Sequence, residues 1–324
     1  MTYHYCTLFD TFFLSRGLTL YHSLKRTTPD FKLYIFPFDK KAEEVLRSLN
    51  LQEVIVVSQS DFETPELLKI KSERSRGEYC WTCTPVIIDY CIRTFSLPLC
   101  TYLDADLFFF SNANQLIDEM EGNSILITDH RYSAKYDQSK TSGKYCVQFV
   151  TFKSNELGMK VLTWWKDNCL EWCFDRFEDG KFGDQKYLDD WTTRFEGVYD
   201  LPNEGAGLAP WNIQQYELAK DEQVLAVRNI RTSRKWPIIF YHFHGLKFHS
   251  EKKIDMGAYL LKKNVIDSIY RLYIEQVTQQ NNELLKRFGI RYPIQKYITK
   301  SGLPVTLHKI ARRVLGVYNM IRMQ

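Results

Sequence analysis

The order of apolar and polar residues predicts alternating strands and helices through about residue 128. Short runs rich in β-branched and aromatic residues alternate with segments whose apolar side chains recur every three to four positions. This alternation is typical of a sheet covered by helices. The predicted strands are 3–9, 31–36, 53–57, 99–110, 124–128, 145–152 and 238–243, and the predicted helices are 15–25, 41–49, 85–94 and 155–174.

The end of the chain has a different pattern. After the last predicted strand we expect helices, interrupted at Gly289, Pro293 and Pro304. We therefore expect an α/β domain over residues 1–250 and a helical, basic extension over residues 251–324. Because sheets of this kind bind ligands beyond the carboxyl ends of their strands, the pattern favours a nucleotide-binding domain.

The segment 101–110, TYLDADLFFF, places two carboxylates inside the most apolar run of the chain. Burying two like charges costs several kcal/mol per ion unless a positive charge compensates them. A spacing of two points both side chains to the same side of a strand, so Asp104 and Asp106 suit a divalent cation shared with a diphosphate. The alternative is a pair of carboxylates that caps a turn. A phosphatase nucleophile is not indicated, because Phe108 stands where Thr or Val is needed.

Composition and charge exclude several classes of protein. The 324 residues carry 43 basic and 39 acidic side chains, but no acidic residue follows Glu283, whereas nine basic ones do. An acidic body with a basic tail does not suit a nucleic-acid-binding protein. No run of about 20 apolar residues predicts a membrane-spanning helix. The first residues lack the features of a secretory signal, and the eight scattered cysteines suit core thiols of a reducing cytoplasm, where we expect the protein.

Four further segments accompany the Asp-x-Asp run: EYCWTCTP (78–85), KFGDQKYLDDW (181–191), GAGLAPWN (205–212) and YHFHGL (241–246). Together the five segments resemble nucleotide-sugar glycosyltransferases of the GT-A fold, in particular the glycogenin-like and lipopolysaccharide-galactosyltransferase-like enzymes and bacterial nucleotide-diphospho-sugar transferases. The resemblance implies an α/β, Rossmann-like mixed sheet flanked by helices, with residues 1–250 as the catalytic domain.

The resemblance also implies a metal site. Asp104 and Asp106 match the ligands of the metal and the diphosphate, and His242 matches the ligand histidine if the His-x-x-G motif is aligned on Gly245. His244 is the alternative. Imidazole joined to carboxylates suits Mn²⁺ or Mg²⁺, with Mn²⁺ favoured by the nitrogen ligand. Lys247 matches the diphosphate-binding lysine of the family at a different offset from the glycine.

Three further polar residues are candidates near the donor sugar. Asp184 and Gln185 match the family's Asp-Gln pair beside the anomeric carbon, where a carboxylate or an amide oxygen stabilises oxocarbenium charge. The alternative is that Asp184 caps a helix. Gln148 lies where relatives carry Asn and is a candidate contact of the donor hydroxyls. Trp81 and Trp211 are candidates for stacking on a sugar, although most tryptophans fill cores.

The end of the first strand is the expected place for the nucleotide. Thr7, Phe9 and Asp10 are candidates for the base and the ribose, and Arg16 opens the following helix. Arg74 and Arg76 are further diphosphate candidates. For each of these residues, a solvated charge is the alternative.

The resemblance implies transfer of a hexose from a nucleotide diphosphate, UDP above all, to a hydroxyl of a surface polysaccharide or lipopolysaccharide. It favours retention at the anomeric carbon. If the enzyme inverts, a carboxylate must act as base, and Asp184 and Asp129 are the candidates. The alternatives are a nucleotide-sugar hydrolase or nucleotidyltransferase with the same metal site, and a catalytically idle sugar-binding partner of an assembly complex.

The tail predicts one more surface. From Leu307, apolar residues gather on one side of a helix, and Lys309, Arg312 and Arg313 gather on the other. A basic amphipathic helix can lie on an anionic membrane, here the inner face of the cytoplasmic membrane, and would suit a lipid-linked acceptor. The alternative is a helix docked on its own domain.

Overall fold

The computed structural model describes residues 2–221, 224–297 and 304–322. The strands of these residues are β1 (Tyr3–Phe9), β2 (Phe31–Pro37), β3 (Val54–Val56), β4 (Leu99–Leu103), β5 (Leu107–Phe109), β6 (Ile125–Asp129), β7 (Tyr145–Lys153), β8 (Val198–Asp200), β9 (Tyr216–Asp221), β10 (Val224–Asn229), β11 (Lys235–Pro237), β12 (Phe240–His242), β13 (Lys247–Ser250), β14 (Lys253–Asp255) and β15 (Met320–Arg322). The helices are α1 (Leu14–Thr27), α2 (Lys40–Leu49), α3 (Gln59–Phe62), α4 (Pro65–Lys71), α5 (Arg76–Thr94), α6 (Asn114–Asp118), α7 (Glu156–Glu171), α8 (Trp191–Arg194), α9 (Lys263–Val265), α10 (Arg271–Phe288) and α11 (Val305–Val314), with a π-helical turn (Ile266–Tyr270) joining α9 to α10.

A mixed seven-stranded sheet of order β3-β2-β1-β4-β7-β6-β8 forms the centre. Strand β1 runs parallel to β2 on one side and to β4 on the other, whereas β7 is antiparallel to both β4 and β6. The chain therefore winds in opposite directions from β1, and a crevice opens beyond the carboxyl ends of β1 and β4. The predicted α/β class is confirmed.

Helices cover both faces of this sheet. On one face α5 and α7 pack against strand residues such as Cys6 and Val150, with Trp165 at the centre of the cluster. On the other face α1, α2 and α10 cover the alternate residues, among them Tyr5 and Ile35. The alternation along β1 and β2 thus places successive side chains in two separate cores.

The predicted strand 99–110 is divided. Strand β4 ends at Leu103, and β5 begins at Leu107 and leaves the main sheet to pair with β12. The backbone turns between them, because the amide of Leu107 donates to the carbonyl of Asp104 at 3.2 Å. The two aspartates therefore stand at a break in the strand.

Helix α5 begins nine residues before the predicted start at Pro85. The hydroxyl of Ser75 accepts from the amide of Glu78, and the Glu78 carboxylate accepts from the amide of Ser75. This capping box satisfies the free amides of the first turn, so the helix starts at Arg76 and Pro85 lies inside it.

The C-terminal region contains strands that the apolar pattern did not predict. The expected boundary at residue 250 falls between β13 and β14, which pair with each other, and β15 adds to the same sheet. Helix α10 packs on α1, so the region adjoins the main domain. Among the described helices, none is long and apolar enough to span a bilayer.

Candidate active site

Two aspartates and one histidine meet at the break between β4 and β5. Because β5 pairs antiparallel with β12, His242 is opposite Leu107 and next to the carboxylates. The Nε2 atom of His242 lies 3.1 Å from Oδ1 of Asp106 and 3.8 Å from Oδ2 of Asp104. One ligand atom from each of the three residues lies within 4.8 Å of the others. The set is two hard oxygen ligands and one imidazole, which fits Mn²⁺ or Mg²⁺.

The charges of this trio are unbalanced. Burial raises the pKa of Asp104 to about 6, and the Asp106 charge adds to the effect. Burial also opposes ionisation of Asp106, but the His242 imidazole outweighs it and holds the pKa of Asp106 at about 2. One imidazolium cannot neutralise two carboxylates, so the site still favours an added cation.

Gln148 on β7 orients the histidine. Its Oε1 atom lies 2.8 Å from Nδ1 of His242, and the side chain is fully buried. If Nδ1 carries the proton, Nε2 is left with its lone pair toward the carboxylates, which is the tautomer that a metal requires. The structure thus places Gln148 behind His242, whereas the sequence predicted a contact with donor hydroxyls.

His244 lines the same pocket beside the trio. Its ring centroid lies 5.8 Å from that of His242 and 5.5 Å from that of Trp211. The structure brings His242, and not His244, within ligand distance of both aspartates.

A pocket of about 480 Å³ opens over the trio. Both tryptophans that the sequence suggested for sugar stacking, Trp81 and Trp211, line it. The full lining is Trp81, Asp104, Asp106, His130, Tyr132, Gln138, Ser142, Cys146, Val147, Asp175, Phe182, Gly183, Asp184, Gln185, Trp211, His242, His244 and Tyr259. Aromatic walls around a polar floor suit a carbohydrate, whose faces are apolar and whose edges carry hydroxyls.

Asp184 and Gln185 both face this pocket. Gly183 before them has φ +53°, and a Cβ there would lie 3.3 Å from the Trp81 ring, so glycine permits both the conformation and the close packing. Trp165 holds the backbone by donating from Nε1 to the Asp184 carbonyl at 2.9 Å. Burial, with the Asp104 charge second, raises the pKa of Asp184 to about 8. Gln185 donates from Nε2 to the carbonyl of Ser142 at 2.7 Å.

Asp129, the second candidate base, lies apart from the residues that line the pocket. It ends β6, where its carboxylate accepts from the amide of Arg131 at 2.6 Å and lies 3.7 Å from Nζ of Lys144. These partners turn it away, and the neighbouring His130 lines the pocket instead.

Only part of the predicted nucleotide site lies where a ligand could reach it. Asp10 follows β1 at the crevice and is buried, but it pairs with the exposed Arg76, which also reaches Asp39 at 3.2 Å. Thr7 and Phe9 are buried, and Phe9 packs on Gly17, where a Cβ would lie 2.3 Å from its ring. Their side chains therefore belong to the core.

The other predicted cations differ in their surroundings. Arg16 is buried, donates to the carbonyl of Leu246 at 2.9 Å, and leaves Nη1 without a partner among the described residues. Arg74 donates to the carbonyls of Cys169 and Leu170, at the end of α7, and so serves as a helix cap. Lys247 is exposed on β13, outside the pocket lining.

Several pocket residues were missed by the sequence analysis. Tyr132 stacks on His130 with ring centroids 4.5 Å apart, and Tyr259 comes from the C-terminal region. They lie outside the motifs, and loops from distant parts of the chain assemble them, so no local pattern marks them.

A second group of candidate ligands lies in the core. The sulfur atoms of Cys6, Cys91 and Cys100 lie within 4.8 Å of one another, and all three residues are buried. Burial raises the pKa of Cys6 and of Cys91, which keeps these two thiols neutral, whereas hydrogen bonds from both lower the pKa of Cys100 against the effect of burial.

Solved structures of glycosyltransferases share this fold. A galactosyltransferase, LgtC, solved with donor and acceptor sugar analogs, matches with a TM-score of 0.52 at 11% identity, over 85% of this chain and 95% of that one. The apo glycosyltransferase GlyE of Streptococcus pneumoniae TIGR4 matches with a TM-score of 0.50 at 10% identity, over 93% of this chain and 67% of that one. At these identities the likeness concerns the fold.

Two proteins of Bacillus subtilis (strain 168) are closer in sequence, although no family model matches the chain. The uncharacterized protein YfnD is 29% identical over 293 residues, which are 89% of this chain and 92% of YfnD. The uncharacterized protein YfnF is 31% identical over 263 residues, which are 78% of this chain and 85% of YfnF. The chain belongs to the family of YfnF.

Proposed function

We propose that the protein is a metal-dependent glycosyltransferase that moves a hexose from a UDP-linked donor to a hydroxyl of a surface polysaccharide or lipopolysaccharide. The observation that carries the proposal is the convergence of Asp104, Asp106 and His242 on the floor of an aromatic-walled pocket. Structures of the same fold belong to glycosyltransferases, one of them a galactosyltransferase. The acceptor class and the UDP moiety rest on the sequence resemblance.

Asp104, Asp106 and His242 would hold the cation, Mn²⁺ by preference because of the imidazole. A bound divalent cation supplies Lewis-acid stabilisation of the departing diphosphate. Arg16 supports the same charge from the side of α1, since its buried guanidinium keeps one donor atom without a partner among the described residues. Asp10, which follows β1, and its ion-pair partner Arg76, the first residue of α5, are the proposed contacts of the nucleoside.

In the transfer, the bond between the anomeric carbon and the phosphate oxygen breaks, and a bond to the acceptor oxygen forms. Asp184 and the Gln185 side chain stand on the pocket wall where they can stabilise positive charge at that carbon. We propose retention of configuration, with the acceptor proton passing to the departing phosphate oxygen.

The reaction is proposed for the cytoplasm. The eight cysteines are free thiols, and seven of them are buried, as expected of a protein in a reducing compartment.

The test is release of free UDP from a panel of UDP-hexoses, with Mn²⁺ and with EDTA. We expect Mn²⁺-dependent release by the wild type, and loss of both release and Mn²⁺-assisted UDP affinity in Asp106→Asn. Asp190→Asn, a matched change of a half-exposed carboxylate, should behave as wild type. Unaltered Mn²⁺-assisted UDP binding by the Asp104→Asn/Asp106→Asn double variant would refute the metal site. Donor binding without release from any donor would favour an idle sugar-binding protein.

A further inference from the structure

Three cysteines from separate parts of the chain meet under one face of the central sheet. Cys6 lies on β1, Cys100 on β4 and Cys91 on α5, and the sulfur atom of each lies within 4.8 Å of the other two. The parallel pairing of β1 with β4 sets Cys6 opposite Tyr102, so Cys100 is a diagonal neighbour of Cys6 on the same face. Helix α5 packs on that face and supplies Cys91. We name these three residues the trithiol cluster.

Burial alone does not explain this grouping. The other buried cysteines are Cys83, Cys146, Cys169 and Cys173. None of them belongs to a group of three candidate ligands in the part of the chain that the structure describes. In the trithiol cluster the sulfur atoms are directed at one another, because Cys6 and Cys91 both donate hydrogen bonds to Cys100. The sulfur atoms therefore already face a common centre, which is where a bound ion would lie.

The trithiol cluster joins the three elements whose ends form the candidate active site. Strand β1 leads from Cys6 to Asp10, and β4 leads from Cys100 to Asp104, in each case four residues further on. Helix α5 carries Cys91 as well as Trp81, which lines the pocket. An ion bound by the three sulfur atoms would cross-link these elements and so fix the two strand ends and the pocket wall relative to one another.

The donor set indicates the kind of ion. Three sulfur atoms without an oxygen or nitrogen ligand favour a soft metal ion, whereas Mn²⁺ and Mg²⁺ prefer the oxygen ligands of the other site. No fourth ligand atom joins the cluster among the described residues, but structural Zn²⁺ is almost always held by four. Cu⁺ is soft and accepts three sulfur ligands. As a monovalent ion it also needs fewer ionised thiols than Zn²⁺ to reach neutrality in an apolar core.

We propose that Cys6, Cys91 and Cys100 form a buried structural site for a soft metal ion, Cu⁺ by preference, held by three sulfur atoms. Each thiol that ionises on binding releases one proton to solvent, and no electron is transferred, because the ion enters and remains as Cu⁺. None of the three side chains is exposed, so the ion must enter while the chain folds or opens locally. The site is separate from the proposed transferase chemistry.

The experiment is anaerobic refolding of the full chain from urea, with Cu⁺ supplied as its complex with a coloured Cu⁺ chelator, and without donor or divalent metal. The wild type should take one Cu⁺ per chain from the chelator on refolding. Protein that is already folded should take it up much more slowly, because the cluster is buried. X-ray absorption at the copper edge should show three sulfur neighbours. Cys6→Ala/Cys100→Ala should lose the uptake.

The matched control is Cys169→Ala/Cys173→Ala, which removes two other buried thiols that hydrogen-bond to each other. This variant should bind Cu⁺ as the wild type does, and circular dichroism checks that both variants refold. Zn²⁺ offered in the same way should bind more weakly than Cu⁺.

Three results would overturn the proposal. The first is a wild type that takes up no Cu⁺ on refolding, and the second is copper with only two sulfur neighbours. The third is uptake that is lost in Cys169→Ala/Cys173→Ala and kept in Cys6→Ala/Cys100→Ala. Tighter binding of Zn²⁺ than of Cu⁺ would overturn the choice of ion. Because the absorption measurement uses the wild type, it decides the number of sulfur ligands even where a variant fails to refold.

Discussion

Replacing Asp184 with Asn should make the protein more stable while removing its proposed activity. Asp184 is 4% exposed, and burial, followed by the Asp104 charge, raises its pKa to about 8 despite hydrogen bonds from Thr84 and from the amide of Gln185. In the unfolded chain the same group titrates near pH 3.9. Folding at neutral pH must therefore either protonate this carboxylate or bury its charge.

The sign and size of the effect follow from the two pKa values. Below about pH 4 the carboxyl is protonated in both states, and its burial then carries no charge penalty. Between about pH 4 and pH 8 only the folded state holds the proton, so the free energy of unfolding falls by about 1.4 kcal/mol per pH unit. Over the whole interval the loss is about 5.6 kcal/mol, and it levels off above pH 8. Asparagine has nearly the same shape and does not titrate, and its carbonyl oxygen still accepts one part of these hydrogen bonds.

The assay is urea unfolding of wild type and Asp184→Asn at several pH values from 5 to 8, without divalent metal. As the pH rises, the free energy of unfolding of Asp184→Asn should increase steadily relative to that of the wild type, by about 3 to 4 kcal/mol over this range. Asp190→Asn should differ from the wild type by less than about 0.5 kcal/mol at every pH, because its carboxylate is half-exposed. In parallel, UDP release by Asp184→Asn should fall sharply.

A stability difference between Asp184→Asn and the wild type that does not change with pH would refute this reasoning. It would mean that Asp184 is ionised in the folded protein throughout, and that some cation compensates its charge.

Three further predictions concern other parts of the structure. Gln148→Ala should weaken Mn²⁺ binding to the metal-free protein by about ten- to a hundredfold, measured by calorimetry, and Gln148→Glu should restore most of it, because a carboxylate still accepts from Nδ1 of His242. In the native protein a thiol reagent should react measurably with Cys80 alone, and with all eight cysteines after unfolding, since the other seven are buried. Arg312→Met should lower the free energy of unfolding by about 3 to 5 kcal/mol in urea titrations, because it leaves Asp255 buried without its partner; an unchanged midpoint would contradict the attachment of α11 through this ion pair.

The features that could be predicted from the sequence are those that a local pattern of residues determines. The strand at 3–9 is found with the predicted bounds, because its apolar residues form a short uninterrupted run. Asp104 and Asp106 could be singled out since two carboxylates in an apolar run conflict with their surroundings. The apolar run does not indicate, however, which residue joins the two aspartates in the site. Choosing His242 over His244 needed the register of β12 against β5, which brings residues 135 positions apart together.

The surroundings of Asp129 and of Arg312 could not be predicted, because they depend on partners that the apolar pattern does not indicate. Asp129 has the right chemistry for a base, but Lys144 and the Arg131 amide hold it. Arg312 was placed with the exposed basic residues, whereas Asp255 draws it into the protein. For Arg312, an ion pair with a residue 57 positions away decided where the side chain points, and no periodicity indicates such a pair.

The buried carboxylates are of two kinds, which differ in the direction of their pKa shift. This difference distinguishes carboxylates that are neutralised within the fold from those that are available to a ligand. Burial alone would raise the pKa of Asp255, yet the Arg312 hydrogen bonds outweigh it and the pKa falls, so this charge is neutralised within the fold. Asp184 and Asp104 are raised instead, because the described residues around them supply too little positive charge. Unpaired carboxylates at these positions lower stability, and a fold under selection for stability alone would replace them. Both line one pocket. Under the proposed function, a bound cation would supply the missing positive charge near Asp104, and the developing oxocarbenium ion would supply it near Asp184.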